Sequence, residues 1–137
     1  MFNVKEIFKS IQGEGFFSGT PALFVRFSGC NLWNGKPETR MRSICNFCDT
    51  NFNGIDGLNG GKYNINQLVE KVDFLWHQKF LGKKKFIILT GGEPLLQVNK
   101  ELVKKLQISG YFVALETNGT IKTDIKFDWV CVSPKEN

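Results

Sequence analysis

Phe86-Ile87-Ile88-Leu89-Thr90-Gly91-Gly92-Glu93-Pro94 runs from an apolar stretch through a glycine pair to a proline. Phe86 to Thr90 reads as a strand buried on both faces, because apolar and β-branched residues follow one another without alternation. Pro94 suits the first position of a helix, and its apolar face would be Leu95, Leu102, Val103 and Leu106, with Gly110 as the stop. A strand that turns through glycines directly into a helix is half of a βαβ unit.

Working outward, the same grammar repeats. Ala22 to Ser28 is a second nearly continuous apolar run, set between Gly19-Thr20-Pro21 and Gly29. Ile65 to Phe80 is helical, with Ile65, Leu68, Val69, Val72, Leu75 and Trp76 on one face. Asn64 is its N-cap, Gln67 follows three residues on, and Gly82 closes it. Tyr111 to Glu116 and Asp128 to Ser133 are two more strands, and any helix between Thr117 and Lys126 has room for about one turn. Asn3 to Ile11 reads as an extra strand or hairpin arm, and Cys30 to Tyr63 as one long loop of the kind that carries function. The fold class expected from this alternation is α/β, a parallel sheet of βαβ units with an N-terminal strand or hairpin extension. The chain's 137 residues are the length of one domain. The chain stops just past a core strand, so more chain or a partner is expected to cover that edge.

Composition narrows the class. The chain has 137 residues, 42% hydrophobic and 23% charged, ordinary for a globular protein and wrong for collagen, coiled coil or a disordered tail. No apolar run reaches the roughly 18–20 residues of a membrane span. Met1-Phe2-Asn3-Val4-Lys5-Glu6 has neither the basic nor the apolar part of a signal peptide, so the expected compartment is the cytoplasm. The net charge of +5 is a mild bias toward anionic ligands, and no basic stripe marks a nucleic-acid surface.

In a reducing compartment cysteines are read first as metal ligands or nucleophiles. Cys30, Cys45 and Cys48 cluster, fourteen residues separating the first two and two the second pair. Structural zinc wants a fourth ligand. His77 lies on the polar side of its helix and reads as solvent-exposed. Cys131 sits in Trp129-Val130-Cys131-Val132 and reads as a buried apolar thiol. Three ligands with an open position also suit an iron–sulfur cube whose fourth iron takes an outside molecule. Spacing alone fits zinc and iron–sulfur equally.

Arg26 interrupts an apolar strand, and alternation puts Phe24, Arg26 and Ser28 on one face. A guanidinium in a core needs an anion, either an internal acid or a ligand carboxylate or phosphate. Cys30, Thr90-Gly91-Gly92, Glu116 and Ser133-Pro134-Lys135 all fall at strand ends, the convergence expected of a barrel-type site.

These features resemble the radical S-adenosylmethionine (SAM) enzymes and, within them, the 7-carboxy-7-deazaguanine synthase family. The resemblance rests on the three cysteines with Ile11-Gln12-Gly13-Glu14-Gly15, Arg26, Cys48-Asp49-Thr50, Gly91-Gly92-Glu93-Pro94, Glu116-Thr117-Asn118-Gly119 and Ser133-Pro134-Lys135, so it covers the whole chain. The general signature of the superfamily is C-x3-C-x2-C, and the longer first spacing here is one that some members of the synthase family show. The family's chains continue beyond the Ser133-Pro134-Lys135 motif, so this chain looks truncated: the resemblance implies a partial, incomplete TIM-like barrel with a parallel βα core, residues 1–137 being a single radical SAM domain, the N-terminal part of a longer barrel.

The resemblance implies a [4Fe–4S] cluster on Cys30, Cys45 and Cys48, with SAM on its open iron. Phe47, Cys48, Asp49, Gly92, Glu116, Ser133, Pro134 and Lys135 would contact SAM. The substrate would be 6-carboxy-5,6,7,8-tetrahydropterin, held by Ile11, Gln12, Gly13, Glu14, Arg26 and Thr90, with Glu14 and Arg26 closest to catalysis. Thr50 would bind Mg²⁺, a hard ion that takes few protein ligands. Hydrogen abstraction and ring contraction with loss of ammonia would give 7-carboxy-7-deazaguanine, in queuosine biosynthesis. An electron donor such as flavodoxin or ferredoxin and a homodimer complete the expected partners, without nucleic acid or membrane. Two rivals are an activase for a glycyl-radical enzyme and a non-enzymatic zinc module.

Overall fold

The computed structural model describes residues 1–11, 19–29, 57–79 and 84–133. Within them lies one sheet of six strands: β1 (Phe2–Ile11), β2 (Pro21–Phe27), β3 (Gly61–Tyr63), β4 (Phe86–Gly91), β5 (Phe112–Thr117) and β6 (Trp129–Val132), in the order β3-β1-β2-β4-β5-β6. From β2 to β6 the strands run parallel and step in one direction across the sheet. Right-handed crossovers that always step the same way put every crossover on one side, which is how a barrel is wound. β1 is antiparallel to β2, the expected N-terminal hairpin arm.

Two faces result. Val4, Ile7, Leu23, Val25, Phe27, Ile87, Leu89, Val113 and Leu115 are fully buried or nearly so. They form one core with Leu68, Val72, Leu75 and Trp76 of α1 (Ile65–Lys79) and Leu102, Val103 and Leu106 of α2 (Lys100–Ile108). The opposite face carries Glu6, Phe8, Arg26, Thr90 and Glu116, and there the side chains turn polar toward the carboxyl ends of the strands.

α1 starts as expected. The Asn64 side chain accepts from the Gln67 amide at 2.8 Å, and the Gln67 side chain accepts from the Asn64 amide at 2.9 Å, the reciprocal arrangement of a capping box. His77 is exposed, as expected. The helix expected to run unbroken from Pro94 is instead two pieces. Pro94–Leu96 is a 3₁₀ turn capped by Glu93, and α2 begins only after Asn99, whose side chain accepts from Leu102 N at 2.9 Å. A second cap so close behind the first ends one turn and starts another. No helix lies between Thr117 and Trp129.

Two further expectations are corrected. Gly61–Tyr63 is a strand, inside the stretch read as loop, because it pairs with Phe2–Val4. Cys131 is half-buried rather than buried, because β6 is the sheet's outer strand among the described residues and leaves Val130 and Val132 exposed. Below the sheet's other end, the Tyr111 hydroxyl donates to Asp73 Oδ1 at 2.6 Å, tying β5 to α1. Burial first, and the Asp73 carboxylate second, push the Tyr111 phenol well above its ordinary range.

Candidate functional site

Residues paired across neighbouring strands lie on the same face. Glu6 is opposite Arg26, Arg26 beside Thr90, and Glu116 beside Cys131. Leu89 pairs with Leu115, so the next step sets Thr90 beside Glu116. A single row therefore crosses the sheet just below its carboxyl rim: Glu6, Arg26, Thr90, Glu116, Cys131. The sequence reading named Arg26, Thr90 and Glu116 as contacts, and the fold brings these three together.

Arg26 has well-defined partners in this row. Its Nε donates to Glu6 Oε2 at 3.0 Å and Nη1 donates to Gly91 O at 2.9 Å. Its guanidinium carbon lies 5.8 Å from the centroid of Phe8, which stacks on Phe24 at 5.2 Å and 9°. Of the two partner types expected for Arg26, the structure shows an internal acid, Glu6.

One row higher, the Thr90–Pro94 turn is held from two sides. Glu93 N donates to Gly29 O at 2.8 Å. A Cβ on Gly92 would collide with that same carbonyl, so only glycine permits the crossing. The residue preceding Cys30 is thereby fixed against the glycine turn. On the other side Glu93, fully buried, reaches the end of β5: Oε1 accepts from Thr117 Oγ1 and Asn118 N, each at 2.7 Å, and Oε2 accepts from Leu95 N at 2.9 Å. Ser133 N donates to Thr117 O at 2.8 Å, which places Ser133 on the same rim.

Two members of this framework escaped the sequence reading. Glu93 stands in the Gly91-Gly92-Glu93-Pro94 motif with no role of its own, although an acid directly before a proline at a helix start is a capping signal. Gln97 was not singled out. Its side chain donates to Asn3 O at 3.2 Å and Ser28 O at 2.8 Å and accepts from Asn3 N at 2.7 Å, bolting the starts of β1 and α2 to the end of β2.

Ile11, at the end of β1, is exposed. Gln12, Gly13, Glu14, Cys30, Cys45, Phe47, Cys48, Asp49, Thr50, Pro134 and Lys135 lie outside the described residues. Among the described residues no helix is long and apolar enough to cross a membrane, and no cluster of His, Cys, Asp and Glu forms a metal site.

A family profile described as the radical SAM superfamily matches residues 40–129. The 7-carboxy-7-deazaguanine synthase of Burkholderia multivorans is 47% identical over 135 residues, which is 98% of this chain and 63% of that protein. The corresponding synthase of Caulobacter vibrioides is 45% identical over the same shares. The crystal structure of QueE from Escherichia coli is similar with a TM-score of 0.75 at 26% identity, over 99% of this chain and 60% of that one. The chain thus spans somewhat under two thirds of the relatives it matches.

Proposed function

Because the chain belongs to the radical SAM superfamily, we propose that it serves the reaction named for its curated relatives, formation of 7-carboxy-7-deazaguanine from 6-carboxy-5,6,7,8-tetrahydropterin with loss of ammonia. In this reading the 137 residues are one radical SAM domain, the N-terminal part of a longer barrel, and the enzyme is a carbon–nitrogen lyase of queuosine biosynthesis. It is cytoplasmic and homodimeric, and draws electrons from a carrier such as flavodoxin or ferredoxin.

The donor set suits the cofactors. Three thiols, soft ligands, are present in Cys30, Cys45 and Cys48, and Gly29 just ahead of them is fixed to the Gly92–Glu93 turn. When bound, the cluster and SAM supply one-electron, hydrogen-abstracting chemistry. The chain's own residues bind and orient. Gly92 allows close approach at the rim, Glu116 and Ser133 border it, and Phe47, Cys48, Asp49, Pro134 and Lys135 complete the proposed SAM contacts. Ile11, Gln12, Gly13, Glu14 and Thr90 are assigned to the pterin and Thr50 to Mg²⁺.

The observation that carries the reading is Arg26. Its guanidinium is bonded to the carbonyl of Gly91, so an anchor for a ligand carboxylate is fixed to the very turn assigned to SAM. Its two bonds to Glu6 and Gly91 do not involve Nη2. The test is a double cycle in which Arg26→Lys is combined with removal of the pterin carboxylate. Each change alone should weaken binding by about 1.5–3 kcal/mol, the worth of a charged hydrogen-bond pair. Together they should cost less than the sum, since they delete one interaction. Full additivity would mean that Arg26 serves Glu6 alone.

A further inference from the structure

β1 does not alternate regularly. Its register with β2 shifts between Val4 and Glu6: Val4 faces Phe27, yet Arg26 faces Glu6 rather than Lys5. Lys5 is thus the extra residue of a β-bulge, the device by which strands re-aim a side chain beside a site. Its effect shows in the burial. Val4 and Ile7, three apart, both lie in the core, and Glu6 turns to the opposite face with Phe8. The bulge is held in place from outside. Gly57 N donates to Lys5 O at 3.0 Å, Ile7 N donates to Leu58 O at 2.8 Å, and the Asn59 side chain donates to Ile7 O at 3.1 Å. Gly57 also lies where a Cβ would press to 2.6 Å from Lys5 O and 2.9 Å from Glu6 Cβ, so its lack of a side chain leaves Glu6 its space.

A bulge, a glycine and three hydrogen bonds fix the backbone on either side of Glu6, whose carboxylate has Arg26 Nε as its described partner. We propose that Glu6 is a positioning residue: it clamps the guanidinium at Nε while Gly91 O clamps it at Nη1, so that the head meets a ligand carboxylate in a fixed orientation. This rests on the carboxylate-binding role proposed for Arg26. The physical reason is preorganisation. An arginine head free to rotate loses the entropy of that freedom on binding, whereas one held at two nitrogens has already lost it. Glu6 needs no contact with the ligand to act in this way.

The measure is carboxylate preference, the ratio of dissociation constants of 6-carboxypterin and its 6-carboxamide, read by fluorescence titration of the cluster-loaded chain. Glu6→Ala should reduce the preference up to about tenfold, the cost of ordering one long side chain on binding. Glu6→Gln keeps an oxygen at the same reach and should hold the preference within about threefold. Glu6→Asp keeps the charge but withdraws the acceptor by one methylene, and should fall as the alanine variant does. A purely structural role would shift both ligands alike and leave the ratio unmoved. An unmoved ratio in Glu6→Ala, beside its loss in Arg26→Ala, would overturn the clamp and leave the Arg26 reading standing. A ratio unmoved in both variants would overturn both. A raised ratio in Glu6→Ala would make Glu6 a competitor for Arg26, and a preference kept by Glu6→Asp but lost in Glu6→Gln would make charge, not position, its contribution. Either result refutes the proposal.

Discussion

Replacing Glu93 by glutamine changes one atom and should nonetheless unsettle the rim. The carboxylate is 0% exposed and receives three donors, two on Oε1 and one on Oε2. Glutamine has a single oxygen. Turned toward Thr117 and Asn118, it keeps both bonds there but sets its NH₂ against the Leu95 amide, donor facing donor. The lost charged bond is worth about 1.5–3 kcal/mol, and the remaining two weaken from charge-assisted to neutral. An opposing effect exists, since a buried carboxylate without a described cation carries a desolvation cost that an amide relieves. Three short donors offset that cost in the wild type, so the net loss should be about 2–3 kcal/mol. For a chain of this size that is roughly 6–12 °C in Tm. Urea denaturation followed by circular dichroism gives the free energy, and amide hydrogen exchange at Asn118 and Leu95 gives its location. An unchanged or raised midpoint, or exchange that quickens everywhere except at these two amides, would refute the reasoning.

Cys30→Ala, Cys45→Ala and Cys48→Ala should each abolish the iron content and brown absorbance of anaerobically reconstituted protein, whereas Cys131→Ala should retain both; metal lost with Cys131 instead would favour zinc. Tyr111 supplies a pH test. Its phenol is raised in the folded chain, so its contribution is fully present below the ordinary tyrosine value of about 10 and lost as pH climbs from there toward the raised folded value. Tyr111→Phe should therefore cost about 1 kcal/mol at neutral pH through loss of the Asp73 bond. The gap between the two proteins should narrow above about pH 10. A gap that stays constant in alkaline urea titrations would show that the phenol is not held neutral by the fold.

What could be read in advance depended on the range of the determining forces. β2, β4 and β5 announce themselves because strands buried on both faces need continuous apolar runs. α1 does so by its period and its cap. β3 has three residues and no pattern of its own, and becomes a strand only through Phe2–Val4, which pair with it from far along the chain. The Lys5 bulge hides in plain sequence: Val4 and Ile7 break alternation, but only the partner strand reveals why. The same holds for the site. Arg26, Thr90 and Glu116 were legible from strand parity and strand ends. The groups that hold them, Glu6, Glu93 and Gln97, act across elements, and no local pattern encodes a hydrogen bond between residues 94 positions apart such as Asn3 and Gln97. The separate start of α2 at Asn99 was readable in principle, since asparagine is a strong cap, but Pro94 offered an earlier start.

The pinning of Gly29 and Gly57 bears on how such proteins can vary. Gly29 is fastened to Glu93 at the end of β2, and Gly57 to Lys5, across from that same end. The segment bearing Cys30, Cys45 and Cys48 thus lies in sequence between two moorings, both supplied by the sheet. Under that condition the number of residues between the first two cysteines enters folding only through a logarithm. Going from three intervening residues, as in the general signature, to the fourteen found here lengthens the moored segment from 16 to 27 residues and adds only about 0.5 kcal/mol of closure entropy. A single well-made hydrogen bond can offset that. Insertions there are cheap for the fold, while one residue added to or removed from β1 would turn Glu6 off its face.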